Sequence, residues 1–468
     1  MKVHMRLPMA KQKYKNNKSQ YTMTVFFSIA IPIMIQGLVF QLQNIVDKAF
    51  LGNLKTEYLT AIGVTQSPYF MTITIIMAIA TGLSIIVGHQ YGANKTNKIK
   101  ETISSTIAYN ILLGFLLLSI WLLFGEDFLT LLNVDPSVMP YALTYIKIII
   151  FYLPFYAIDG TLQGALQAFG KTRPIMYTGI IKVFLNIFLD WVLIFGKLGL
   201  PPMGLEGAAI ATLAANIITS IILTFYFTTS INLPVKMPCT QLLSFHWKLY
   251  TKIAAIGLPS GMEFFLWHIG NMVLISFLNK IDIMGVAVYV LLSSIGSFVF
   301  MLYIGIAKTT MTLTSQQLGK KNFKSTRPIM FQSVIYNLIL VTIFVVLVIC
   351  FTKPILNIFT NDAQLISLTL PLVSYLLITL FPKSINVLIG HGIRATGNTK
   401  WMLYTQIIGT VLVISLSYIL IHIFGLGLEA IFITVLTDEA VRAVINSMYF
   451  IFITNEKRIE RKMITINN

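Results

Sequence analysis

The sequence predicts an all-α polytopic membrane protein with twelve transmembrane helices. The chain has 468 residues, of which 56% are hydrophobic and only 11% charged, and its mean hydropathy is +0.79. By contrast, about a quarter of the residues in a soluble chain are charged. Apolar runs long enough to cross about 30 Å of hydrocarbon recur along the whole chain. A second observation, an internal repeat, divides these helices into two six-helix lobes.

The lengths of the apolar runs and of the polar segments between them define the spans. The first 20 residues are basic and polar, and no small-residue cleavage site follows them, which predicts a tail rather than a signal peptide. We expect the spans at 24–50, 59–87, 103–124, 139–159, 174–196, 205–229, 251–278, 284–311, 329–351, 366–390, 401–424 and 428–453.

Lysine and arginine are distributed unevenly between the two ends of these spans. Most of the 34 basic residues fall on one side, and those on the other side are Lys55, Lys197, Lys280 and Lys353. The positive-inside rule places the basic side, with both termini, in the cytoplasm. The net charge of +17 therefore indicates membrane topology, and we do not expect nucleic-acid binding.

The two halves of the chain share one pattern at an offset of 227 residues, which becomes 223 after the Pro201-Pro202 loop. Each unit holds an even number of spans, so the two lobes have the same orientation. We expect a pseudo-two-fold axis along the membrane normal to relate them. The matched pairs include Pro32 and Pro259, Gln90 and Gln317, Gly92 and Gly319, Gly170 and Gly397, Tyr177 and Tyr404, and Gly204 and Gly427.

The repeat divides the chain into a basic cytoplasmic tail (1–20), an N-lobe (21–229), a cytoplasmic linker (230–250), a C-lobe (251–453) and a cytoplasmic tail (454–468). Two parallel lobes suit alternating access better than a pore. The loops contain no phosphate-binding or hydrolytic motif, so we expect no enzyme activity and an ion gradient as the energy source. Cys239 and Cys350 lack metal or redox spacing and are predicted to be free thiols.

Asp47 and Asp190 form the leading pair of candidate functional residues, because a carboxylate within hydrocarbon costs at least ~2.5 kcal/mol. Each lies near the outer end of an outward-running span, about 8–9 Å below the boundary. Asn44 and Asn186 each share a helix face with one acid. Carboxylate and amide oxygens at one depth suit sodium. Alternatively, repulsion between the carboxylates in a dry site would let one of them hold a proton near neutral pH.

At the offset of the repeat, Leu274 and Ser417 replace the two acids. This difference predicts that the candidate cation site exists in the N-lobe only. The alternative interpretation is a polar cluster that tethers helices to one another, since intramembrane polar groups also pair for structural reasons.

The second lobe contains a mixed set of charges whose formal sum is zero. Either of two acids could pair with the arginine three or four residues further along the helix. One interpretation is therefore mutual neutralisation, and the other makes Glu263 a second coupling or substrate carboxylate. Lys383 argues against a purely acidic cavity for cations. The set comprises Glu263, Lys308, Lys383, Asp438, Glu439 and Arg442.

Five other polar residues lie within spans. Gln43 and Asp159 join the second-lobe charges as candidate substrate-cavity residues, although for Asp159 we favour the cap of a broken helix. Lys182 is expected to snorkel from near the inner end of its span. His268 and His391 lack metal-ligand spacing and are expected to be satisfied polar groups.

Several short motifs extend over nearly the whole chain, from about residue 20 to 455. They are Gln43–Asp47 with Leu51-Gly52, Gly88–Ala93, Gln167–Thr172, Leu185–Asp190, Gly204–Ala209, Leu258–Glu263, Gly392–Thr399 and Asp438–Arg442. Through these motifs the sequence resembles the multidrug and toxic compound extrusion (MATE) family of bacterial transporters.

The resemblance implies secondary active export of amphipathic, often cationic organic compounds in exchange for H⁺ or Na⁺. It also implies a monomer among the lipids of the bacterial inner membrane, without a cofactor. For the N-lobe, the resemblance implies a cation site formed by Asp47, Asn186, Asp190 and Thr212.

Three alternatives remain open at this point. A flippase or exporter of a lipid-linked or peptide-like metabolite could use the same scaffold, and Lys308 and Lys383 are compatible with it. A membrane-embedded acyltransferase could use His391 or His268, but no partnered acid–base constellation accompanies either residue. A channel is least expected because of the two-lobe repeat.

Overall fold

In the part of the chain that the structure describes, twelve long helices are joined by short connections. The computed structural model describes residues 22–52, 54–281, 283–456 and 458–460, so the tail predicted over 1–20 and residues 461–468 lie outside the described residues. The helices, α1 to α12 in chain order, are Met23–Gly52, Thr56–Gly92, Thr96–Leu131, Met139–Ala168, Arg173–Phe195, Gly204–Thr229, Trp247–Ile281, Ile283–Gly319, Thr326–Cys350, Ala363–Ala395, Thr399–His422 and Glu429–Ile453.

Eleven of these described helices are long and apolar enough to span a membrane. The twelfth, α12, has 25 residues but carries three charged residues close together near its middle, Asp438, Glu439 and Arg442. It packs against α10 and α11 within the same bundle. The predicted fold class is therefore confirmed.

Helix α4 extends beyond its predicted end at residue 159. A single 3₁₀ turn, Ile150–Tyr152, interrupts it, and Leu153–Ala168 then continues as α-helix. Pro154 lies in the first turn of that segment, where the missing N–H breaks no helical hydrogen bond. Asp159 consequently lies inside a continuous helix, so the prediction that it caps a broken helix is wrong.

Helices α1–α6 form the N-lobe and α7–α12 the C-lobe, and α1 contributes to both. The first half of α1 packs into the C-lobe core, where Phe26, Ile29 and Ile33 are buried with Ile306 and Leu388. The second half of α1 lies against α5 of the N-lobe. A displacement of α1 would therefore change the helix packing in both lobes.

The segment between the lobes packs against the N-lobe rather than remaining free. Leu233, Val235 and Met237 are buried in the hydrophobic core of that lobe. Ser244 Oγ is 2.7 Å from Ser104 Oγ on α3. Helix α7 begins at Trp247, within the range expected for the linker.

Close glycine contacts join the lobes at the end of the molecule where α2 and α8 terminate. A Cβ on Gly82 of α2 would lie 2.8 Å from the amide nitrogen of Gly257 on α7. A Cβ on Gly92 would overlap the Gln316 carbonyl oxygen, and one on Gly319 would overlap the His89 carbonyl oxygen. We call this end of the molecule the closed end.

Hydrogen bonds between the lobes also stabilise the closed end. Gln316 Nε2 of α8 donates to the Ala168 carbonyl at 2.8 Å, and His89 Nε2 of α2 is 2.8 Å from the Ala395 carbonyl. Further from this end, α2 and α7 leave a cavity of about 300 Å³ between them. Its lining includes Met71, Thr74, Leu258, Met262, Phe265 and His268.

Candidate cation site in the N-lobe

Helices α1 and α5 meet at regular intervals, and the contacts keep a nearly constant sequence offset. Near the closed end, Thr172 Oγ1 donates to the Ile29 carbonyl at 2.9 Å. Two turns further on, Gln36 covers Gly179 so closely that a Cβ there would lie 2.9 Å from its Cγ. The constant offset means that the two helices run parallel, so residues at matched positions face each other.

The next matched positions carry the polar groups of the site. Gln43 Nε2 donates to Asn186 Oδ1 at 2.6 Å. One turn beyond, the carboxyl groups of Asp47 and Asp190 lie close enough to interact directly with each other. Asn186 and Asp190 are almost fully buried. A proton shared between two such carboxyl groups, or a cation bound between them, would satisfy their oxygens.

Helix α6 completes the polar cluster from a third side. Asn186 Nδ2 donates to Thr212 Oγ1 at 3.3 Å, and Asn216 Nδ2 donates to the Thr212 carbonyl at 2.7 Å. The amide of Asn186 therefore connects α1 to α6. The structure brings together the four residues implied by the family resemblance, namely Asp47, Asn186, Asp190 and Thr212.

Three oxygen atoms of this cluster lack a hydrogen-bond partner among the described residues: Gln43 Oε1, Asp47 Oδ1 and Asp190 Oδ1. A buried polar atom without a partner costs about 1–3 kcal/mol. Hard cations such as Na⁺ bind through oxygen ligands, and carboxylate oxygens also accept protons. The residues present therefore fit a cation bound between α1 and α5.

The equivalent region of the C-lobe is apolar. At the repeat offsets, Leu274 replaces the acid of the first helix, Val413 the amide of the fifth, and Val435 the hydroxyl of the sixth. All three side chains pack in one hydrophobic cluster. Ser417, in place of the second acid, is also buried. The two lobes have the same fold, but this position is polar in the N-lobe and apolar in the C-lobe. The fold itself therefore does not require the polar residues of the candidate site.

Gln43, predicted to be a substrate-cavity residue, contacts Asn186 of the candidate cation site. Gln43 precedes Asp47 by four residues and lies on the face that meets α5. Asn44 directly follows Gln43, so its side chain is rotated by about 100° around α1 from the one that contacts α5. Asn44 is half-buried, and no described hydrogen bond joins it to either acid.

A second polar chain in the N-lobe begins at Asp159 on α4. Gln163 Nε2 donates to Asp159 Oδ2 at 2.7 Å, and Gln36 Nε2 of α1 lies 3.4 Å from Gln163 Oε1. Tyr152 also directs its hydroxyl at Asp159 Oδ2, at 3.4 Å. These side-chain donors explain how a carboxylate is accommodated inside the lobe.

Lys182 lies inside the lobe rather than at its edge. It is about 13 Å along α5 from the start of that helix. Its Nζ is 5.6 Å from the centroid of the Phe40 ring, and its charge interacts with Asp159 and Asp47. The predicted snorkelling is therefore wrong, because the side chain faces α1 and α4 instead of the membrane surface.

The second-lobe charges form a neutralised network around Arg442. Its Nε and Nη2 atoms donate to the two carboxylate oxygens of Asp438 at 2.9 and 2.5 Å. Glu439 Oε2 lies 3.4 Å from Nη2, and Gln406 Oε1 accepts from Nη1 at 2.7 Å. Asn386 Nδ2 donates to Glu439 Oε2 at 2.9 Å. This geometry corresponds to the mutual neutralisation considered from the sequence.

Glu263 pairs with Arg394, which falls between the spans predicted at 366–390 and 401–424. Arg394 Nη2 contacts both carboxylate oxygens of Glu263, at 2.7 and 2.6 Å, and the arginine is buried. Arg394 Nη1 is also 3.2 Å from His391 Nδ1. Arg394 is therefore inside the bundle rather than in a loop, because the last turn of α10 packs against its neighbours.

The two lysines of the second-lobe set are both half-buried. The charge of Lys383 acts on Asp438. Lys308 lies on the face of α8 that meets the N-lobe, between Gly305, which abuts α1, and Thr312, which donates to the Gln167 carbonyl. No ion pair in the described part of the chain includes Lys308.

Two like lobes of membrane helices, closed at one end and with a buried candidate cation site in one lobe, are typical of secondary transporters. The MatE family model matches residues 32–192 and 259–419. The chain belongs to this family of membrane transporters. The two matched segments begin 227 residues apart, which is the offset of the internal repeat.

Full-length relatives resemble the chain along nearly all of its length. It is 25% identical to a probable multidrug resistance protein NorM of Thermotoga maritima over 92% of each chain. It is 24% identical to a probable multidrug resistance protein YoeA of Bacillus subtilis over 97% of this chain and 98% of that protein. A solved outward-facing multidrug resistance MATE family transporter superposes with a TM-score of 0.85 at 20% identity, covering 94% of this chain and 96% of that one.

Proposed function

We propose that the protein is an antiporter that exports amphipathic, often cationic organic compounds in exchange for H⁺ or Na⁺. The observation that carries this proposal is the set of three unpartnered oxygens around Asp47 and Asp190, in the lobe whose twin is apolar at that place. The multidrug resistance names of the relatives support organic compounds as the substrates. The relatives are bacterial, which supports the inner membrane as the location.

In this proposal the closed end faces the cytoplasm, as the distribution of basic residues predicts. The acid pair then receives its cation from the outer side while the lobes are apart there. When the exported compound carries no net charge, one cation that moves inward through 100 mV supplies ~2.3 kcal/mol, enough for about fifty-fold accumulation of substrate.

Helix α1 is the proposed mechanical link between ion binding and lobe movement. Asp47 and Gln43 connect its second half to α5, whereas Phe26 and Ile33 pack its first half into the C-lobe. Placing a cation between Asp47 and Asp190 removes the repulsion between them and changes how closely α1 can approach α5. The C-lobe would sense this change through the same helix.

The experiment is uptake of a fluorescent organic cation into inside-out proteoliposomes, with pH and sodium gradients imposed separately. The proposal predicts uptake under one gradient and its loss in Asp47→Asn and Asp190→Asn. The matched control is Asp127→Asn, which neutralises an exposed aspartate on α3. Coupled uptake that persists in both site variants would contradict the proposal.

The second candidate is a flippase for a lipid-linked or peptide-like metabolite. It is favoured by Lys308, a lysine without an ion pair in the described residues, on the face of α8 that meets the N-lobe. A lipid-headgroup scrambling assay in the same proteoliposomes separates the two functions. Scrambling that Lys308→Met abolishes, without gradient-driven dye uptake, would favour the flippase.

A further inference from the structure

The side chain of Lys182 lies where a cationic ligand of the N-lobe would be expected. The Phe40 ring faces its ammonium group at 5.6 Å from the ring centroid, and the carboxylates of Asp159 and Asp47 attract it. An aromatic face with nearby carboxylates is the chemistry that recognises organic ammonium groups. Tyr145 and Tyr156 provide further aromatic surface within electrostatic range of the same two acids.

Lys182 is held less tightly than the equivalent cation of the C-lobe. Arg442 is fixed by a two-pronged ion pair with Asp438, and both side chains are buried. No ion pair in the described part of the chain includes Lys182, which is half-buried. The ammonium group of Lys182 is therefore attracted to the acids without being fixed by a direct bond.

The repeat supports this comparison between the two lobes. Gly409 occupies the position in the C-lobe that corresponds to Lys182. A Cβ on Gly409 would lie 2.9 Å from Cδ and Nε of Arg442 and would also overlap Asp438 Oδ1. The arginine of α12 thus fills the space that the lysine of α5 fills in the other lobe. Of the two cations at this place, Lys182 and Arg442, Lys182 is the one without a direct ion pair among the described residues.

We propose that Lys182 is a specificity-determining residue that acts as a tethered cation in the substrate path of the N-lobe. Its ammonium group competes with monovalent organic cations for the Phe40 ring and the Asp159 carboxylate. A zwitterionic substrate avoids this competition, because its acidic group pairs with Lys182 while its cationic part binds the acids. The inference rests on the proposed export function, and it narrows the substrate class to compounds that carry an acidic group.

The test is the binding of a matched pair of dyes to purified protein, followed by fluorescence anisotropy. A rhodamine methyl ester is a monovalent cation, and its parent free acid is a zwitterion with the same ring system. Wild-type protein should bind the acid more tightly than the ester. Lys182→Met should tighten the binding of the ester, so that the ratio of the ester Kd to the acid Kd falls by about tenfold.

Two controls separate charge from structure. Lys182→Arg keeps the positive charge and should keep the wild-type ratio. Lys197→Met removes an exposed charge just after the same helix and should also keep that ratio. Tighter binding of the ester is a gain that misfolding cannot imitate. If Lys182→Met binds neither dye, the neutral variant Lys182→Gln decides the matter by the same ratio.

The inference is overturned if the ratio of the two Kd values stays at the wild-type value in the neutral variants. It is also overturned if the ratio falls equally in Lys182→Arg, or if wild-type protein binds neither dye. Because binding needs no gradient, this inference and the proposed function can fail separately. Gradient-driven uptake with an unchanged ratio would leave the export function standing. A changed ratio without gradient-driven uptake would support the role of Lys182 and contradict the export function.

Discussion

Gln43 and Asn186 are joined by a 2.6 Å hydrogen bond between α1 and α5, one turn before the carboxyl groups of Asp47 and Asp190 meet. The bond fixes the distance between the two helices next to the acids. It also leaves Gln43 Oε1 without a described donor, so this oxygen is available to a cation. The Gln43–Asn186 pair thus has two parts. Its hydrogen bond holds α1 next to α5, and the free Gln43 Oε1 atom can bind a cation.

Replacement of Gln43 tests both parts. Gln43→Leu should abolish coupled uptake and lower the free energy of unfolding by about 1–3 kcal/mol, because Asn186 Oδ1 loses its buried donor. Asn44→Leu changes the neighbouring amide, which has no described hydrogen bond to either acid, and should retain coupling. Proteoliposome uptake and thermal unfolding of both variants measure the difference, and equal loss of coupling in both would contradict this assignment.

The network around Arg442 should contribute to stability rather than to coupling. Arg442→Met leaves Asp438 and Glu439 buried without their counter-ion, which should cost about 3–5 kcal/mol of unfolding free energy. Adding Asp438→Asn to this variant should recover part of the loss. Thermal unfolding of the purified variants measures the effect. Arg327→Met, at an exposed arginine, is the control with a smaller expected loss.

A network that binds the coupling ion would give a different result. In that event, Asp438→Asn alone would abolish gradient-driven uptake while the protein remained as stable as the wild type. We expect Asp438→Asn instead to lower stability while the folded protein keeps gradient-driven uptake, because Arg442 would be left with less negative charge around it.

The glycine contacts at the closed end predict a shift in conformation. Gly319→Ala places a methyl group against the His89 carbonyl oxygen, so the closed end should separate. The distance between spin labels at Lys95 and Lys324, which are exposed on opposite lobes, should lengthen. Cys239 and Cys350 are exposed free cysteines and must first be replaced by serine.

Gly63→Ala is the matched control for the closed-end experiment. Gly63 lies on α2 with no neighbouring atom within 4 Å of a Cβ there, so alanine should leave the label distance unchanged. A wild-type distance in Gly319→Ala would mean that the closed end is less tightly packed than the contacts of Gly92 and Gly319 indicate.

The sequence was sufficient to predict the fold and the acid pair. Asp47 and Asp190 are recognisable because charge is costly in hydrocarbon and because counting residues from the helix ends gives their depth. The choice between Asn44 and Gln43 could not be made in the same way. Both share a face with Asp47, and only the position of α5 decides which of them points into the site.

The positions of two charged residues were predicted wrongly for a related reason. Arg394 lies close to the Gly397 turn, so its position in the sequence suggested an exposed loop, whereas Glu263 on α7 draws it inside. Lys182 was judged by its distance from the end of the span, although its environment is set by Phe40 on α1 and Asp159 on α4. Contacts between distant helices decided both positions, and a single sequence contains no direct signal for them.

The most direct test of the central claim is to measure ion release from the acid pair. Purified protein in weakly buffered solution would receive a saturating amount of the transported dye while pH and free sodium are recorded. The account predicts that wild type and Asp127→Asn release a proton or a sodium ion when the dye binds. Asp190→Asn should release neither. Equal release from Asp190→Asn would contradict the assignment of the coupling cation to Asp47 and Asp190.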